Sequence, residues 1–136
     1  MAHDPKPPTP PTLLVVDRAA VDEAVTRLRL AAEAAGLEQV RQERSMAAAT
    51  VTWIGGPRTR AEHDAAALEK QWADLANDLR RAATDVRFAE VAADQENRKR
   101  QAAFDEAVLA YRTEVAARAA ATAAATATSP RWGFAP

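Results

Sequence analysis

From Val21 onward the first half of the chain repeats its apolar residues at alternating steps of four and three: Val21, Val25, Leu28, Ala32 and Ala35. That interval traces one face of an α-helix. Asp17 offers a side-chain acceptor to the free amides of a first turn, and Val16 and Val21 occupy the two places of a hydrophobic staple. The pattern therefore predicts a helix over about 17–52. Gly36 interrupts it at a cost of about 1 kcal/mol relative to alanine. The helix either kinks there or stops and restarts before Leu37 and Val40; continuation through Met46 and Ala49 is the simpler reading.

The strongest break in the pattern is Trp53-Ile54-Gly55-Gly56-Pro57, which reads as the bend of a helical hairpin over 53–58. Beyond it, Thr59-Arg60-Ala61-Glu62 matches a capping box and predicts a second helix over about 59–125. Its apolar positions run Leu68, Trp72, Leu75, Leu79, Ala82 or Ala83 and Val86, then resume at Phe104, Val108, Tyr111 and Val115. Val86 and Val108 lie twenty-two residues apart, two repeats of eleven, which suits a nearly straight helix better than a strict heptad seam. Unbroken, that helix would be ~100 Å long, twice what the first can cover. The stretch 94–101 is polar all round and fits a solvent-bridging helix or a hinge, with helix the favoured reading.

Both ends differ from the middle. Residues 1–12 carry Pro5, Pro7, Pro8, Pro10 and Pro11, which remove backbone donors and hold an extended, polyproline-like tail. The hairpin is expected over 13–128. Its last part, Ala116–Thr128, is alanine- and threonine-rich and leads to an aromatic tail at 129–136. Trp132 and Phe134, beside Pro130 and Gly133, either stay exposed or anchor in a pocket on another chain.

Composition sharpens this picture. Hydrophobic residues make up 48% of the 136, but aromatics only 5%, and alanine supplies much of the rest. Alanine favours helix yet buries little area, so a lone hairpin has a thin core against the entropy of ordering its chain. A partner chain is expected. The formal net charge of -1, from 18 basic and 19 acidic residues spread along the chain, argues against nucleic-acid binding as the main activity. The densest basic cluster, Arg98-Lys99-Arg100, has Asp94 and Glu96 at pairing distance along a helix and reads as a solvated face. There is no cysteine, so redox chemistry says nothing of compartment. Leu13-Leu14-Val15-Val16 is too short for a signal-peptide core and follows prolines, so neither a Sec signal nor a membrane span is expected.

No catalytic constellation emerges. His3 lies in the tail, and Glu62-His63-Asp64 are adjacent helical residues that point in different directions. Phosphate-binding glycine loops and nucleophile–base arrangements are missing from the sequence, so no enzyme, metal or cofactor is expected. Trp53 and Trp72 read as seam residues between the helices.

A Trp-x-Gly bend between two amphipathic helices, here Trp53-Ile54-Gly55 with Leu68, Trp72, Leu75 and Leu79 behind it, resembles the WxG family of small type VII secretion proteins, over roughly residues 13–93. The resemblance implies hairpins that pair as homo- or heterodimers into four-helix bundles, with Trp53 and Gly55 shaping the bend and the segment after Pro130 a candidate contact. The chain departs from the family's export motif: Tyr111 is followed by Glu114 one residue too early and by Val115 at the motif position.

The sequence thus predicts an all-α, two-helix antiparallel hairpin with a long second helix. Its bend residues are Trp53, Gly55, Gly56 and Pro57; its partner-binding residues are Val21, Val25, Leu28, Leu68, Trp72, Leu75, Leu79 and Val86; Trp132 and Phe134 dock the tail. The expected role is a non-enzymatic partner or adaptor of a type VII system, secreted without a Sec signal or cytoplasmic before export. The alternatives are a structural subunit of a large assembly, such as a virion or envelope complex, and a scaffold or chaperone that sheathes a client.

Overall fold

A computed structural model describes residues 4–52 and 54–128. All regular structure among them is helical: α1, Arg18–Thr50, and α2, Gly56–Thr128. The chain divides into two compact units. One is Val15–Ala93; the other joins the segment ending at Leu14 to the chain from Asp94 onward. Helix α2 contributes a part to each. No helix among the described residues is long and apolar enough to cross a membrane.

In the Val15–Ala93 unit the two helices pack against each other. Asp17 caps α1, its carboxylate accepting from the Ala20 amide at 3.0 Å. Gly36 does not break α1, which runs through it among alanine and leucine neighbours that favour helix. At one end of the unit Arg18 meets Glu90 at 3.3 Å and Arg87 meets Asp22 at 2.6 Å, while Glu90 also accepts from Arg87 at 3.0 Å. Two cross-helix pairs whose numbers rise on one helix and fall on the other fix an antiparallel register. Near the bend, Thr50 with Arg58, Met46 with Glu62, and Glu43 with Ala65 border one surface depression and continue that register.

The interior of this unit is built from small side chains. Among the described residues its fully buried hydrophobic side chains are Val25, Ala32, Ala35, Ala76 and Ala83, of which only Val25 is larger than alanine. Along α2 the inward positions from Ala65 to Ala93 alternate steps of four and three without drift: Ala65, Glu69, Trp72, Ala76, Leu79, Ala83, Val86, Glu90 and Ala93 are each half-buried or buried. That is a heptad seam. It corrects the stripe drawn through Leu68, Trp72 and Leu75, because Leu68 and Leu75 lie on its flank and are exposed. At these inner places alanines alternate with larger or charged side chains, Glu69, Trp72, Leu79, Val86 and Glu90.

In the other unit residues 4–14 have no regular secondary structure and are held along α2. The Asn97 amide pairs with both backbone groups of Leu14: Oδ1 accepts from the Leu14 N–H at 2.7 Å and Nδ2 donates to the Leu14 carbonyl at 2.9 Å. Three residues along, Arg100 Nη1 donates to the Thr12 carbonyl at 2.7 Å. At the far end Asp4 faces Arg118 at 3.9 Å. The polar stretch 94–101 is accordingly helix, and two of its polar residues serve as a clamp.

Candidate interaction surfaces

The bend is shorter than its sequence signature. α1 ends at Thr50, whose buried hydroxyl returns to the Met46 carbonyl at 2.8 Å, and Val51 and Thr52 form a turn. Trp53 lies outside the described residues. Gly55 has φ +85°, the one positive φ among the described residues. It also accepts the first helical bond, from the Thr59 amide at 3.3 Å. α2 then starts at Gly56, three residues ahead of the expected capping box, so Gly56 and Pro57 belong to the helix and not to the bend. Proline suits a first turn, where its missing N–H has no partner to lose. Thr59 therefore sits inside the helix, and Glu62 pairs with Arg58 at 2.8 Å instead of capping.

Of the eight residues assigned to a partner surface, six are taken up inside the hairpin. Val25 is 1% exposed, and Val21, Leu28, Trp72, Leu79 and Val86 are half-buried. Leu68 and Leu75 remain exposed, seven residues apart beside Trp72. Further exposed apolar side chains went unnoticed in the sequence. Leu30 and Leu37, 59% and 73% exposed, share the face of α1 turned away from the seam, with Ala34 between them, and Phe88 and Val91 are open on α2. The spacing of seven between Leu30 and Leu37 was legible in the sequence.

The Trp72 indole Nε1 is buried without a hydrogen-bond partner. The antiparallel register places Gly36 level with Trp72, but a Cβ at Gly36 would meet nothing within 4 Å. The glycine is therefore not needed to admit the indole.

The second surface is the cradle of α2 under residues 4–14. Pro5, Pro8 and Pro11 are half-buried while Pro7 and Pro10 are exposed, a period of three that is the repeat of a polyproline helix. On α2 the half-buried positions are Asn97, Arg100, Phe104, Val108, Tyr111 and Arg118. The lengths agree as well. Ten steps from Leu14 to Asp4 span about 31 Å at polyproline rise, and twenty-one from Asn97 to Arg118 span about 32 Å of α-helix. Arg100, expected to be one charge of a solvated cluster, keeps its pair with Glu96 at 2.9 Å and turns a second nitrogen to the Thr12 carbonyl.

The cross-helix pairs of the hairpin face solvent except at Glu90, whose side chain is largely covered. Hydrogen bonds to Asp22 and then Glu90 push the Arg87 guanidinium further above its already high pKa, so it stays charged at every working pH. No group of three or more His, Cys, Asp or Glu able to hold a metal occurs among the described residues. Trp132 and Phe134 lie outside the described residues. No protein-family model, curated protein or solved structure matches the chain.

Proposed function

We propose that the protein is a non-enzymatic interaction hairpin that pairs through Val15–Ala93 with a second helical hairpin, forming a four-helix bundle. One observation carries this reading: among its described residues the hairpin fully buries one valine and four alanines as its core and leaves four of its six leucines, Leu30, Leu37, Leu68 and Leu75, exposed. Burying a leucine stabilises by about 1.5–3 kcal/mol, whereas an alanine methyl contributes about 0.8. Leu68 and Leu75 flank the seam on α2 and Leu30 and Leu37 line the outer face of α1, so a partner could cover either side.

The Trp53-Ile54-Gly55 triplet, which lies in sequence between α1 and α2, supports placing this pairing in a type VII secretion system, the chain acting as secreted partner or adaptor. The test is the absolute mass of the full chain by light scattering after size exclusion, over a dilution series, beside a chain lacking residues 129–136. A mass of two chains that persists on dilution and without the tail supports the closed bundle. A monomer, or larger species that vanish with the tail, overturns it and favours a subunit of a larger assembly.

A further inference from the structure

We propose that α2 between Asn97 and Arg118 is a recognition surface for an extended, proline-rich peptide, and that residues 4–14 are its exchangeable ligand in cis. The clamp reads main chain. Asn97 takes both the N–H and the C=O of one residue, at 2.7 and 2.9 Å, and Arg100 takes the carbonyl two residues before it at 2.7 Å. Neither contact depends on the side chain of Leu14 or Thr12, so any peptide of this backbone geometry can make them.

Prolines give the geometry and the register. Their fixed φ holds the segment extended before it docks, which lowers the entropy lost on binding. One polyproline turn advances about 9 Å, close to two turns of α-helix at about 11 Å. A face of Pro5, Pro8 and Pro11 can therefore follow a single stripe of α2. Interpolation between the Thr12–Arg100 and Asp4–Arg118 contacts sets Pro8 about one residue beyond Val108 and Pro11 between Arg100 and Phe104. The ligand defined by this site is an extended peptide with proline at every third place and an acidic residue at its N-terminal end, opposite Arg118. It is a surface separate from the hairpin pairing, and either can fail without the other.

The test uses the full chain and a fluorescent peptide of residues 1–14, followed by anisotropy. In the wild-type chain the resident segment competes at an effective concentration on the order of millimolar, so added peptide binds weakly. Replacing Pro5, Pro8 and Pro11 together by glycine loosens the resident segment and leaves α2 untouched, and should tighten binding of the wild-type peptide at least tenfold. Adding Asn97→Leu to that variant should remove the gain. Hydrogen exchange in the wild-type chain gives a second reading: excess peptide should speed exchange of the chain's own Leu14 amide. The proposal is overturned if the proline variant binds the peptide no better than wild type, if Asn97→Leu changes its binding less than twofold, or if the peptide leaves Leu14 exchange unchanged. A wild-type dimer that the proline variant converts to monomer would overturn the assignment in cis.

Discussion

Between Ala65 and Ala93, α2 packs on another helix through a seam in which alanines alternate with larger side chains, whereas between Asn97 and Arg118 it is covered by an extended segment held through backbone hydrogen bonds. The two arrangements satisfy different needs. A helix has already satisfied its own backbone, so the hairpin asks only for side chains that fit together. An extended segment carries unpaired N–H and C=O groups, so its support must supply polar partners; Asn97 and Arg100 do so, and the prolines reduce the number of donors to satisfy. Cover is also distributed differently. One residue at polyproline rise advances as far along α2 as two helical residues, so eleven residues of the N-terminal segment accompany twenty-two of α2.

This comparison can be broken most severely at Val25, the largest fully buried side chain among the described residues. Val25→Asp places an unpaired carboxylate in the seam and should cost several kcal/mol. Circular dichroism should show an early loss of helix; an unchanged melting curve would mean that the α1–α2 seam is not what stabilises the hairpin.

Asn97→Leu addresses the other unit. It removes both bonds to Leu14 and should cost about 1–3 kcal/mol locally. Exchange of the Leu14 amide should quicken while amides of α1 keep their rates, and a parallel rise across α1 would show that the two regions are not separable.

The bend offers a sharper contrast of neighbours. Gly55→Ala forces a side chain into the left-handed region and should destabilise by about 1–2 kcal/mol, whereas Gly56→Ala, at a helical residue without positive φ, should cost less, its new Cβ meeting only the ring of the Pro57 that follows. Equal effects in thermal melts would contradict the described turn.

Gly36→Ala is the mildest change. Nothing would meet the new methyl, and alanine favours an unbroken helix, so a gain of about 1 kcal/mol is expected in chemical denaturation. A loss instead would mean that a partner approaches α1 closely at this point.

Much of the hairpin was legible before its structure. The cap at Asp17, the inward stripe Val21–Val25–Leu28–Ala32–Ala35 and the turn near Gly55 follow from local rules, because caps, helical periodicity and positive φ depend on a few adjacent residues. The face of α2 that meets α1 was only partly legible. Leu68 and Leu75 outweigh Ala65 and Ala76 on any hydrophobicity count, yet the alanines face the seam and the leucines flank it. In an alanine-rich helix every face contains small residues, so periodicity alone does not distinguish a narrow seam from a neutral side. The predicted start of α2 was late for a related reason: Thr59 and Glu62 satisfy a capping pattern, but Gly55 turns the chain first and Pro57 is already helix-compatible.

The proline segment marks the other boundary of what local pattern reveals. Its extended character is a property of proline itself, and the helical state of 94–101 follows from its residues' propensities. That one lies on the other is a contact across more than eighty positions. Helix content, the bend, the cap and the extended N-terminal segment were thus determined by the sequence alone, since each is set by the steric and hydrogen-bonding preferences of neighbouring residues. The tertiary structure decided which alanines meet across the hairpin and which polar residues hold the prolines, because close approach and backbone pairing exist only once distant segments share a surface.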